Sequence, residues 1–228
     1  MDTLELNAKY VRQQDIVPSE LFEESITVIG AGAIGSCAVF GFAKTGFKKM
    51  RVFDFDKVEL HNMPNQMFAA HQVGMSKVDA LAEIIRYLEG FDIDTENKMF
   101  KKHDMKGTII VAVDSMDVRK ELWETAKEKM GGIRVYIDAR MGAEVLRLYT
   151  ILPELRTNID KYEQTLYSSE EAEPVPCTAK STMYTALLAG SMIVNQAKRS
   201  YMSLDKEEFE VPQFEIIYDL AQGIMITR

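Results

Sequence analysis

Cysteine is scarce in this chain, with Cys37 and Cys177 alone among 228 residues. Two cysteines build neither a disulfide framework nor a four-thiolate zinc site, and they suit a reducing compartment. Histidine is as sparse, and His61, His71 and His103 are not spaced as a metal triad. No apolar run reaches the roughly 18 residues that a bilayer crossing demands. The most hydrophobic stretch, 183–194, is shorter and is flanked by Lys180 and Lys198. Positive charge is short too: 27 Lys and Arg against 35 Asp and Glu leave a net charge of -8. With a pI near 5.1, that balance excludes a general nucleic-acid binder. The opening MDTLELNAKYVRQQ lacks the apolar core of a secretory signal, and no internal repeat is visible. These absences predict a cytoplasmic protein that contacts neither membrane nor nucleic acid.

What is present is an ordinary globular composition, 46% hydrophobic and 27% charged, long enough for one domain with a small appendage. The 14 methionines read as adaptable core filler. Residues 1–25 read as a polar, partly helical arm, and 26–228 as a single domain. Short apolar β-branched runs at 26–30, 51–54, 108–113 and 134–138 read as buried parallel strands. Helices are expected at about 34–45, closed by Gly46, and at about 117–130, closed by Gly131 and Gly132. Ser76 and Asp79 resemble a capping box opening a third helix that ends at Gly90. The alternating run 145–152 and the pieces 213–218 and 223–227 read as further strands. Residues 153–177, with three prolines and the acidic run 168–173, read as a long crossover loop before an apolar helix at 178–199. Alternating β and α elements imply an α/β fold: a doubly wound, mainly parallel Rossmann-like sheet with antiparallel C-terminal strands.

The chemistry concentrates in residues 26–62. A strand ends in Gly30-Ala31-Gly32-Ala33-Ile34-Gly35, and after a helix a second strand ends in Asp54. Glycines at this spacing let a phosphate approach the backbone at a helix N-terminus, and the acid suits a ribose hydroxyl. By itself that pattern signals a dinucleotide such as NAD. The following Asp56, Glu59 and Asn62 continue the polar site past the ribose toward phosphates, with Asn62 able either to bond a phosphate or to cap its own loop. Lys77, opening a helix at the same sheet edge, suits a phosphate. Asp114, ending the strand at 108–113, is placed to hold Mg²⁺ against phosphate oxygens. Asp117 and Arg119 read as capping and pairing within the next helix. Asp138 and Arg140 end another strand at that edge, where Arg140 either lines a groove or forms a structural ion pair. Cys37, among Ala38, Val39 and Phe40, reads as a buried small apolar residue. Cys177 precedes a helix near Lys180, a setting that lowers a thiol pKa.

Taken in order, these motifs resemble the ubiquitin-activating-enzyme-like proteins of the ThiF/MoeB/HesA type. The resemblance rests on Gly30–Gly35, on Asp54-x-Asp56-x-Val58-Glu59-x-x-Asn62 followed by Gln66, on Lys77, and on Asp114-Ser-Met-Asp117-Val-Arg119. Tyr10-Val11-Arg12-Gln13 and Cys177 before the last long helix extend it over about residues 9–199. The resemblance implies binding of ATP and Mg²⁺ and adenylation of the C-terminal carboxylate of a small ubiquitin-like or sulfur-carrier protein. It also implies a homodimer in which Arg12 reaches the triphosphate of the partner subunit. Asp54 would then hold the ribose, Asn62 and Lys77 the phosphates and Asp114 the metal, while Cys177 would be a candidate nucleophile toward the carrier.

The chain departs from the family pattern in three places. Asn65 stands before Gln66 where the family carries arginine, the paired C-x-x-C zinc motifs are absent, and Ala179-Lys180-Ser181-Thr182 replaces the usual small residues after Cys177. Two other readings stand beside adenylation: a degenerate ATP-binding module of a larger assembly, and an NAD-dependent oxidoreductase.

Overall fold

The run Ile-Thr-Val-Ile at Ile26–Ile29 forms β1, with neighbours on both edges and apolar contacts on both faces. In the computed structural model, which describes residues 8–101, 105–167, 181–205 and 209–228, this strand lies third in an eight-stranded sheet. The other strands are β2 (Met50–Asp54), β3 (Asp94–Asn97), β4 (Gly107–Val111), β5 (Ile133–Gly142), β6 (Val145–Ile151), β7 (Glu215–Asp219) and β8 (Ile224–Thr227), in the order β3-β2-β1-β4-β5-β6-β7-β8. The first five run parallel and the last three pair antiparallel. This is the doubly wound, mainly parallel sheet with antiparallel C-terminal strands that the alternation implies.

Side chains alternate across a strand, so one apolar strand feeds two cores. On β4, Ile110 joins the core shared with α1 (Ala33–Thr45), α2 (Lys77–Glu89) and α5 (Met183–Asp205). Its neighbours Ile109 and Val111 face the opposite core, built around Trp123 of α3 (Met116–Glu128) and Tyr162 of α4 (Arg156–Glu163). Helices α1 and α5 cross closely at Gly190, where an added Cβ would sit 2.7 Å from the Cys37 carbonyl carbon. Cys37 is buried there, and burial pushes its thiol up to about 11, so it stays protonated and packs as a small apolar residue.

Several boundaries differ from the expectation. Strand β3, Asp-Thr-Glu-Asn, carries no apolar residue and owes its conformation to pairing with β2. Within the span read as a loop, residues 156–163 form α4, a polar helix that turns Asn158 and Tyr162 inward. Strand β5 continues to Gly142 because it returns to Val145 as a two-residue hairpin, with Ala143 at φ 52°. Helix α5 runs from Met183 to Asp205, with Ser181 and Thr182 outside it, while 178–180 of the expected helix lie outside the described residues. The described part of the arm, 8–25, packs onto the domain: Tyr10, Val17, Leu21 and Phe22 are buried in the main core, and Phe22 packs against Gly46. Among the described residues, no helix is long and apolar enough to cross a membrane.

Candidate functional site

The order β2-β1-β4 makes β1 and β4 the point where the chain reverses its direction of travel across the sheet, and crevices in such sheets open at the strands' C-terminal ends there. The residues at that edge are Gly30 to Gly35 after β1, Asp54 at the end of β2 and Asp114 after β4. Each glycine answers a different demand. Gly30 has φ 97°, and a Cβ on it would meet the Ala112 carbonyl oxygen at 2.6 Å. A Cβ on Gly35 would lie 1.8 Å from the Gly30 carbonyl oxygen, so this glycine lets α1 start against the strand. Around Gly32 an added Cβ finds nothing within 4 Å among the described residues. Two of the three glycines therefore serve the protein's own packing, and the middle one faces open space.

That open space adjoins the start of α1, which has no side-chain cap among the described residues, whereas Ser76 and Ser115 cap α2 and α3. Uncapped first-turn N–H groups at the positive end of a helix dipole suit an anion. Asp54 braces the turn. One carboxylate oxygen accepts the Ala31 N–H at 2.7 Å and the other accepts the Asp56 N–H at 2.8 Å. A carboxylate offers about four lone pairs, so capacity remains for hydroxyl donors.

Lys77 reaches the site through backbone pairing. Val58 N–H donates to the Met75 carbonyl at 2.9 Å and Lys77 N–H to the Asp56 carbonyl at 2.9 Å, which lays 56–58 against 74–77. The Lys77 ammonium then pairs with Asp56 at 2.8 Å, with the lysine side chain 8% exposed and the aspartate 52%. A nearly buried cation held by a half-exposed carboxylate can be shared with an incoming phosphate.

The loop beyond is held by amides. The Asn62 side-chain oxygen accepts the Glu59 N–H at 3.2 Å, so Asn62 caps its own short helical turn, Leu60–Asn62. Asn65 donates to the Ser181 hydroxyl at 2.8 Å and thereby ties this loop to the approach to α5. The buried side-chain oxygens of Asn65 and Gln66 have no hydrogen-bond partner among the described residues. The Met67 N–H donates to the Ser36 hydroxyl at 3.2 Å, which joins the same loop to the first turn of α1.

Asp114 is exposed, and no group of three or more potential metal-ligating side chains occurs among the described residues. One carboxylate beside an open phosphate cradle fits Mg²⁺ that arrives on a nucleotide, since Mg²⁺ commonly takes one or two carboxylates plus phosphate oxygens. Arg12 lies elsewhere. It is exposed, and its neighbour Gln13 donates to the carbonyl of Thr45, the last residue of α1, at 2.6 Å. The axial rise of α1, about 18 Å, therefore separates Arg12 from the turn of its own chain. Cys177, Lys180 and His103 fall outside the described residues.

Sequence reasoning offered the Asp138–Arg140 ion pair but missed the third member of the buried cluster beneath Asp114. Arg119, read as pairing on its own helix, instead turns inward to Asp138, which Arg140 also grips through Nε at 2.7 Å. The signal was present: Arg119, Leu122, Trp123 and Ala126 share one helical stripe, so a guanidinium occupies a core-facing position. Burial pushes the Arg119 guanidinium down to about 10, with the Arg140 charge acting in the same direction, and it remains a cation at neutral pH. Arg140 forms the structural ion pair, and it also donates to the Thr165 carbonyl at 2.9 Å and the Thr165 hydroxyl at 3.0 Å.

Comparisons with known proteins agree with this architecture. The ThiF family model matches residues 12–210. The chain is similar to ubiquitin-like modifier-activating enzyme 5 of Bombyx mori, 40% identical over 67 residues that cover 29% of this chain and 17% of the enzyme. The same enzyme of Xenopus laevis is 40% identical over 62 residues, 27% of this chain and 16% of that protein. These matched stretches span under a fifth of the length of the curated relatives. Among solved structures, PaaA matches with a TM-score of 0.73 at 17% identity, covering 100% of this chain and 74% of that one. E. coli MccB with ATP gives 0.69 at 14%, over 96% and 66%. E. coli tRNA N6-threonylcarbamoyladenosine dehydratase, TcdA, with ATP gives 0.68 at 16%, over 89% and 97%. At these identities the structural matches speak to the fold alone.

Proposed function

Because the chain belongs to the ThiF family, we propose that it binds ATP with Mg²⁺ at the tips of β1, β2 and β4 and adenylates the C-terminal carboxylate of a small ubiquitin-like or sulfur-carrier protein. The observation that carries this reading is the open space at Gly32, set between two glycines that packing demands and faced by an uncapped helix. In the reaction a carboxylate oxygen of the carrier bonds to the α-phosphorus of ATP, and pyrophosphate leaves. The chain's part is positioning and charge compensation, which dominate phosphoryl-group chemistry. The first-turn N–H groups of α1 cradle phosphate oxygens. Asp54 accepts from ribose hydroxyls while it holds the turn. Lys77, placed by Asp56, meets phosphate charge, and Asp114 holds the Mg²⁺ that neutralises the leaving pyrophosphate.

Arg12, at the far end of α1 from its own cradle, serves the cradle of a second copy in a homodimer. The arm 1–25 and the domain 26–228 act as one adenylation unit, and Cys177 is a candidate acceptor of the activated carrier. Asn62 and Gln66 shape the loop beside the phosphates rather than supplying charge.

Asn65 supports a second reading, a nucleotide-binding module without turnover. Its amide bonds Ser181 where the family pattern has an arginine, and that guanidinium charge is missing. ATP–pyrophosphate exchange separates the two. Adenylation predicts exchange that depends on a carrier ending in Gly-Gly and falls at least a hundredfold in Asp114→Ala. ATP binding without exchange by any such carrier would instead favour the module.

A further inference from the structure

The buried cluster beneath the nucleotide edge has a geometry that none of the roles above uses. Arg119 comes from the first turns of α3, yet its guanidinium is 5% exposed and meets the fully buried Asp138 of β5. Its Nη2 donates to two backbone carbonyls, those of Val113 and of Ala139, the latter at 3.1 Å. The Val113 carbonyl belongs to the same planar peptide unit as the Asp114 nitrogen. Fixing that oxygen therefore fixes the plane from which the Asp114 side chain departs. On its other side Asp114 is followed by Ser115, the N-cap of α3, whose hydroxyl accepts the Val118 N–H at 3.4 Å. The exposed aspartate is thus framed at both ends by bonds that involve its neighbours and not itself.

Asp138 is held just as firmly. One of its oxygens accepts Arg140 Nε at 2.7 Å and the Tyr162 hydroxyl at 3.0 Å. That leaves the other to neutralise Arg119, whose burial without a counter-charge would be prohibitive. Arg140 is in turn anchored to Thr165 at the end of α4 and lies over the Tyr149 ring at 4.7 Å. A chain of bonds runs from Thr165 through Arg140, Asp138 and Arg119 to the peptide that bears Asp114.

We propose that Arg119 is a positioning residue: neutralised by Asp138, it sets the Val113–Asp114 peptide so that the Asp114 carboxylate meets Mg²⁺ on the bound nucleotide. The inference rests on the Mg²⁺ role assigned to Asp114 above. A merely structural arginine would alter melting and leave the metal dependence of nucleotide binding unchanged. A positioning arginine alters the metal dependence itself.

The test is ATP affinity by calorimetry with Mg²⁺ and with EDTA, alongside the melting temperature of each variant. Arg119→Lys keeps the charge opposite Asp138 but cannot span two carbonyls and a carboxylate at once. It should weaken binding at least tenfold with Mg²⁺ and less than twofold with EDTA. Should that variant fail to fold, Arg119→Gln with Asp138→Asn removes both charges together and carries the same expectation. Asp114→Ala should abolish the tightening by Mg²⁺, and adding Arg119→Lys to it should weaken Mg²⁺-dependent binding no further. If folded Arg119 variants keep the wild-type Mg²⁺ effect while Asp114→Ala loses it, the positioning role is overturned and the Asp114 reading stands. If Asp114→Ala keeps the Mg²⁺ effect, both fall.

Discussion

Strands β1 and β8 have nearly the same letters, Ile-Thr-Val-Ile and Ile-Met-Ile-Thr, and opposite surroundings. Ile26 and Val28 of β1 are fully buried, with β2 and β4 on either edge. In β8, Ile224, Met225 and Ile226 are 49%, 56% and 45% exposed, and among the described residues the strand pairs only with β7. The difference shows that an apolar run does not decide its own burial. Position in the sheet does, and only the strand with neighbours on both edges and helices on both faces can end in a turn rigid enough to shape a cradle.

The largest effect that sharpens this comparison is a pair of identical truncations. Ile26→Ala should lower unfolding free energy by about 2–5 kcal/mol, whereas Ile226→Ala should stay within about 0.5 kcal/mol. Chemical denaturation of both variants checks it, and comparable losses would break the distinction. Next comes the tip of β1. Gly35→Ala drives a methyl into the Gly30 carbonyl and should cost about 1–3 kcal/mol, together with nucleotide binding. Gly32→Ala, which meets nothing within 4 Å, should melt near wild type and lose ATP affinity alone. Equal melting losses for the two glycines would undo their division of labour.

A smaller effect concerns the lower edge, where the arm is fastened. The Glu89 side chain is 1% exposed and pairs with Lys9 at 2.7 Å and Lys44 at 2.5 Å. Burial pushes its carboxyl up, but bonding by Lys44 and Lys9 together outweighs this and leaves it below the usual value. A depressed folded value means that this stability is present above the unfolded pKa of about 4.3 and is lost as pH falls through the folded value. Wild type should therefore lose melting temperature below about pH 4, with a shallower decline in Glu89→Gln. Parallel acid profiles would show that Glu89 contributes nothing there.

Much of the parallel half was legible because its signals are local. Ile26–Ile29, Met50–Asp54 and Gly107–Val111 announce buried strands by apolar continuity, and Ser76 caps α2 through the Asp79 N–H as the spacing predicts. The glycine turn was legible as a pattern, but not which glycine faces open space. Strand β3 carries no apolar signal, since an edge strand is specified by the backbone donors beside it. Helix α4 has a polar sequence whose two inward residues are too few to set a period. Arg119 was the most instructive case, a cation in a core-facing stripe that makes sense only once Asp138 lies opposite.

The sequence by itself determined the α/β alternation, the glycine turn, the acid at the end of β2 and the family, because each rests on motifs whose residues lie close together in the chain. Tertiary structure alone decided that Lys77 leans on Asp56, that Arg12 sits at the far end of α1, and that a buried ion cluster underlies Asp114. Those outcomes depend on pairings between residues about 20 to 30 positions apart in the chain. Their partners are chosen when the sheet closes and buried charges must find counter-charges, a condition that no local pattern records.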